Sequence, residues 1–120
     1  MLVWVNGECI AANEARISLL DGGYLFGDGV FETLRLYQGQ PFDLSGHLER
    51  MTHQLEVLEY QWRPDRKLFE AAILDLLSAN NWLGIDARCR ITVSRGFSKH
   101  ESMPLTGHET LPPTVSIMVQ

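Results

Sequence analysis

Residues 30–37 read Val-Phe-Glu-Thr-Leu-Arg-Leu-Tyr, and this run limits the fold more than any other stretch of the chain. Successive side chains of a strand point to opposite faces, so Val30, Glu32, Leu34 and Leu36 share one face and Phe31, Thr33, Arg35 and Tyr37 the other. The first face is apolar except for Glu32, and a carboxylate buried there requires a basic partner. The strand is approached through Asp21-Gly22-Gly23 and Gly27-Asp28-Gly29, four glycines in eight residues around Tyr24-Leu25-Phe26. Such a segment is a constrained loop. Its glycines either let backbone approach a ligand closely or make a sharp turn beside a structural ion pair, and the residues alone favour the turn.

The other elements follow from the same patterns. Leu2-Val3-Trp4-Val5, Asn6-Gly7 and Glu8-Cys9-Ile10 form a hairpin, because Asn-Gly accepts the positive φ angles of a type I′ turn. Gln38-Gly39 turns the 30–37 strand into a partner over 40–42. Asp43 or Ser45 caps a helix in which Leu44, Leu48, Met51, Leu55 and Leu58 recur at helical spacing. Pro64-Asp65 opens a second helix with Phe69, Ile73, Leu76 and Leu77 on one face, ended by Asn80-Asn81 and Gly84. Residues 87–95 form a strand with Cys89, Ile91 and Val93 inward, Arg88, Arg90 and Thr92 outward, and Arg95 at the end of the inward row. A long polar loop over 94–113 leads to a last strand over 114–119. The expected fold is α+β, an antiparallel sheet with two helices packed on it, in a single domain over 1–120.

Composition excludes several function classes. Ten basic against fifteen acidic residues, net charge −5, give no footprint for nucleic acid or an anionic membrane. No apolar stretch approaches the ~20 residues of a membrane span, and Met1-Leu2-Val3-Trp4 lacks the basic start of a secretion signal, so the expected location is the cytoplasm. Cys9 and Cys89 stand outside any metal-ligand spacing and are expected as two reduced, partly buried thiols; no metal site is expected. A length of 120 residues suffices for one core but is short for an enzyme that closes a cofactor between two domains. That chemistry needs a second chain or further sequence.

Two clusters are candidates for binding. His47-Leu48-Glu49-Arg50 places Arg50 beside the apolar stripe of its helix, where a guanidinium held by packing grips a phosphate or else snorkels to water. His47 reads as a hydrogen-bonded boundary histidine. Arg95-Gly96 with Lys99-His100 gathers cations that suit a substrate carboxylate, or forms a solvated loop. No Ser/His/Asp or Cys/His nucleophile arrangement is present, and the glycines precede a strand where a phosphate loop needs a helix.

Taken together, Arg16-Ile17-Ser18, the run from Asp21-Gly22-Gly23 through Gly27-Asp28-Gly29-Val30-Phe31-Glu32-Thr33-Leu34-Arg35, Phe42-Asp43-Leu44, His47-Leu48-Glu49-Arg50-Met51 and Arg95-Gly96 resemble the class IV (fold-type IV) pyridoxal-phosphate enzymes. The resemblance covers essentially the whole chain, in order. It implies that the chain corresponds to the small N-terminal domain of such an enzyme, with pyridoxal 5′-phosphate as cofactor and a homodimer as the assembly. It implies that Arg50 binds the cofactor phosphate and that Phe26 and Phe31 line the substrate side of the pocket. Arg95, Lys99 and His100 fall where some members bind the substrate carboxylate.

The family's chemistry also needs a lysine that forms the Schiff base, in the large C-terminal domain. The lysines here, Lys67 and Lys99, do not match that position. The catalytic lysine is therefore absent from these residues, and the chain alone is expected to be inactive without its missing C-terminal domain or a partner chain. The Phe-Glu-Thr after Gly-Asp-Gly-Val and the Val-Asn-Gly-Glu opening look most like 4-amino-4-deoxychorismate lyase, which releases pyruvate and forms 4-aminobenzoate for folate synthesis. The alternatives are an aminotransferase of D-amino-acid or branched-chain type, or a non-catalytic oligomerising fragment or half of a split enzyme.

Overall fold

A computed structural model of the protein describes residues 1–96 and 112–120. In chain order the elements are β1 (Leu2–Val5), β2 (Glu8–Ala11), α1 (Gly22–Phe26), β3 (Gly29–Tyr37), β4 (Gln40–Pro41), α2 (Leu44–Val57), α3 (Arg66–Ala79), β5 (Ala87–Ser94) and β6 (Thr114–Val119). The strands form one sheet in the order β2-β1-β6-β5-β3-β4, with every neighbouring pair antiparallel. This is the expected α+β architecture, with α1 as an addition. The glycine-rich segment was expected as loop, but Asp21 accepts the Gly23 N–H at 2.7 Å and Gly27 closes the other end at φ +66°. Capped at both ends, the residues between complete a single helical turn.

Local chemistry sets the connections. Asn6 and Gly7 have φ of 48° and 104°, and Gln38 and Gly39 of 50° and 77°, so both hairpins turn in the sense that matches strand twist. At Gly39 space also excludes a side chain, since a Cβ would lie 2.9 Å from the Gly84 nitrogen. Strand β4 pairs only with Leu36 and Tyr37. The Phe42 N–H reaches the Arg35 carbonyl at 2.9 Å, and Asp43 then turns the chain into α2 by accepting the Gly46 N–H. Over residues 29–34, β3 thus has no strand on its outer side among the described residues, and presents an open edge.

The inward rows of β3, β5 and β6 meet Leu44, Leu48, Met51 and Leu55 of α2 and Phe69, Ala72, Ile73, Leu76 and Leu77 of α3 in one core. Helix α2 lies on β3, and α3 on β1 and β6. Leu58, expected in the α2 stripe, caps the helix and is 37% exposed. The chain reverses at Glu59, in the left-handed region, and Tyr60 fills the core position in its place.

The two thiols differ from their expected similarity. Cys9 is exposed on β2, whereas Cys89 is buried, and burial pushes its thiol up to about 12. Of these two thiols, Cys9 is expected to react in the native protein with a disulfide reagent such as 5,5′-dithiobis(2-nitrobenzoate), and Cys89 only after denaturation, as read by mass mapping of the labelled residues. Fast labelling of Cys89 in the native state would contradict its placement.

Candidate functional site

Glu32 is the one inward-facing polar residue of β3 and is 3% exposed. Helix α2 crosses above it and presents His47 and Arg50, which lie three apart on the same helical face. Arg50 donates from Nε to Glu32 Oε1 at 2.8 Å and from Nη2 to Oε2 at 2.5 Å. His47 Nδ1 lies 2.6 Å from the same Oε2. The Arg50 hydrogen bond holds the Glu32 carboxyl below its ordinary range, against the opposing pull of burial, and His47 adds to the lowering. An ionised carboxylate only accepts, so His47 Nδ1 carries a hydrogen and donates it.

The rest of Arg50 points outward. Its side chain is 60% exposed, and Nη1 is not used by Glu32 or His47. A guanidinium fixed by one edge on a carboxylate keeps donors along its other edge, which matches the oxygens of a second anion. The arrangement therefore offers an oriented, charged fork at the surface of α2.

On the opposite face of the sheet, Phe31 is 53% exposed and the Arg90 guanidinium carbon stands 3.7 Å from its ring centroid. The β3–β5 register sets Arg90 across from Thr33 and Arg88 directly across from Arg35. Like charges paired in this way cost stability. Among the described residues, none of these three arginines has a carboxylate partner. A chain of net charge −5 thus gathers positive charge on one sheet face.

The glycine-rich segment is fixed from beneath. Asp21, buried, accepts hydrogen bonds from Ser94 Oγ at 2.9 Å and Thr114 Oγ1 at 2.7 Å. Asp28 takes Arg95 Nε at 2.7 Å and Nη2 at 3.2 Å, and Arg95 Nη2 also donates to the Leu58 carbonyl at 2.6 Å. The Arg95 guanidinium lies 3.8 Å from the Tyr60 ring centroid, and the Tyr60 hydroxyl donates to the Asp28 carbonyl at 2.9 Å. Burial, and then the Asp28 charge, push the Tyr60 hydroxyl well up. Gly23 is required here, since a Cβ would come 2.5 Å from Ser94 Cβ.

The structure thus brings Arg50 to the buried carboxylate and Phe31 to a cation, and leaves Phe26 exposed on α1 with no ring contact to Phe31 among the described residues. Arg95, expected in an open cation cluster, has its Nε and Nη2 committed to Asp28 and Leu58. Lys99 and His100 lie outside the described residues. Lys67 is exposed in the first turn of α3. Asp21 and Tyr60 were not anticipated; an Asp before Gly-Gly is a helix-cap signal for the former, and nothing local marks the latter.

The chain is similar to several known proteins. Aminodeoxychorismate lyase of Bacillus subtilis (strain 168) is 36% identical over 97 residues, 81% of this chain and 33% of that protein. The branched-chain aminotransferase of Thermoproteus uzoniensis, solved with norvaline, superposes with a TM-score of 0.82 at 23% identity, covering 100% of this chain and 40% of that one. A hypothetical aminotransferase from Mycobacterium tuberculosis in its PLP-bound form gives 0.74 at 24% identity, covering 100% and 39%. The chain spans about a third of the length of the curated lyase. The structural likenesses show the fold. The family model for amino-transferase class IV matches residues 29–120, which include β3 with Glu32 and α2 with Arg50, and the chain belongs to that family.

Proposed function

We propose that this chain is the N-terminal, phosphate-holding portion of a pyridoxal-phosphate enzyme. The observation that carries the reading is the outward edge of Arg50, fixed from behind by buried Glu32. That edge fits a phosphate monoester, whose oxygens accept two parallel hydrogen bonds from a guanidinium. The PLP-bound state of the Mycobacterium tuberculosis neighbour supports the identity of the phosphate carrier. When bound, pyridoxal phosphate supplies the electron sink that makes an α-hydrogen of an amino substrate labile. This chain's residues bind and orient it across the open edge of β3: Arg50 holds the phosphate on one side of that edge, and Phe31, held under Arg90, offers a flat wall on the other.

For the reaction we favour elimination of pyruvate from 4-amino-4-deoxychorismate, giving 4-aminobenzoate. The similarity to the Bacillus subtilis lyase supports it, and so does the arginine face, since that substrate carries two carboxylates and Arg35, Arg88 and Arg90 lack acidic partners among the described residues. The full-length enzyme is expected to release pyruvate with no keto-acid acceptor present. Turnover that depends on an acceptor would replace this reading with an aminotransferase. The homodimer belongs to the same proposal, and exposed Leu19, Leu20, Tyr24, Leu25 and Phe26 supply apolar surface for it. Light scattering should give twice the chain mass; a monomer would contradict the assembly.

A further inference from the structure

Glu32 makes no use of its charge toward solvent, yet it sits ionised in an apolar row, bonded by two donors of Arg50 and one of His47. Burial by itself requires that the carboxylate be paired and hydrogen-bonded. Here the contact is two-point and in one edge, so it fixes the plane of the guanidinium and the direction of its free edge. His47 Nδ1 meets the same Oε2 beside Arg50 Nη2, 3.2 Å from it, and adds a further bond to that oxygen. We propose that Glu32 is a positioning residue for anion binding at Arg50, with His47 as its brace; the inference rests on the phosphate-holding reading above.

The proposal makes a prediction opposite in sign to simple charge counting. Glu32 and Arg50 together carry no net charge, so Glu32→Gln adds one positive charge to the site, and Coulomb attraction alone would tighten anion binding. A glutamine side chain, however, offers one acceptor and one N–H₂ to the two donors of Arg50, which breaks the two-point hold. If orientation governs, affinity falls although the site becomes more positive.

The test is titration of the full-length protein with pyridoxal phosphate and, separately, with pyridoxal, together with the thermal midpoint of each variant. Glu32→Gln is expected to weaken pyridoxal phosphate by about tenfold, the equivalent of one charged hydrogen bond, and to leave pyridoxal unchanged. Glu32→Asp keeps the charge but shortens the reach; a loss of affinity there too is expected, and this variant decides the matter if glutamine prevents folding. A shifted thermal midpoint with undiminished affinity of the folded variants would make Glu32 merely structural and overturn the proposal. Tighter binding by Glu32→Gln would do the same in favour of charge. If the wild-type protein itself binds pyridoxal phosphate no better than pyridoxal, the phosphate-holding reading fails first, and that result is distinct from the other two.

Discussion

Replacing Arg50 by methionine is expected to weaken pyridoxal phosphate binding by about a hundredfold, the loss of a forked pair of charged hydrogen bonds, and to leave pyridoxal binding unchanged. Methionine keeps much of the aliphatic stem and removes the charged head group. The substitution also strands Glu32, which retains His47 alone inside an apolar row. In the wild-type protein the Glu32 carboxyl is held below its ordinary value of 4.5 in the folded state, chiefly by Arg50. Its contribution to stability is therefore present above that value and is lost as pH falls through the lowered one. Without Arg50 the largest lowering influence is gone and burial pulls the other way. The acid limb of the stability curve should then begin at higher pH in the variant, as read by denaturation midpoints across the acid range. An unchanged acid limb would mean that the Glu32–Arg50 pair contributes nothing to folding.

Asp28→Ala is expected to give the largest loss of stability among single changes near the site. It leaves the Arg95 head, whose side chain is 11% exposed, with the Leu58 carbonyl and the Tyr60 ring but no anion. Removing one partner of a largely buried pair costs about 3 kcal/mol, and a domain of this size would melt roughly 10 °C lower. The Asp28 backbone carbonyl, which alanine keeps, still accepts the Tyr60 hydroxyl and the Arg95 N–H, so the loss is that of the carboxylate. Tyr60→Phe removes only one of those bonds and should cost about 1 kcal/mol. If calorimetry showed Asp28→Ala to be no worse than Tyr60→Phe, the ion pair would not be what fastens the glycine-rich segment to the end of β5.

These two clusters differ in how far the sequence disclosed them. The alternation over 30–37 put Glu32 on the apolar face and in need of a basic partner, and the helical stripe of α2 put Arg50 at its boundary; that the two meet follows only from the packing of α2 on β3. Arg95 stood out as a charge closing an inward row. Its partner did not, because Asp28 lies 67 positions away and only the β3–β5 register joins them. Helix α1 was hidden for a related reason: its glycines read as loop, and what closes the turn includes Asp21, itself held by Ser94 and Thr114 from distant strands. Tyr60 enters the core only because Glu59 adopts positive φ, which nothing in a lone Glu announces. Outward positions for Arg35, Arg88 and Arg90 were legible from alternation, but the direct opposition of Arg35 and Arg88 needed the strand register.

The claim at the centre of this account is that Arg50, held by Glu32, is where the cofactor phosphate binds. A crystal structure of the full-length protein with pyridoxal phosphate tests it most directly. The account predicts a phosphate oxygen within about 3 Å of Arg50 Nη1, with Glu32 still on Nε and Nη2. A phosphate seated elsewhere, or an Arg50 that has left Glu32 to reach it, would contradict the account.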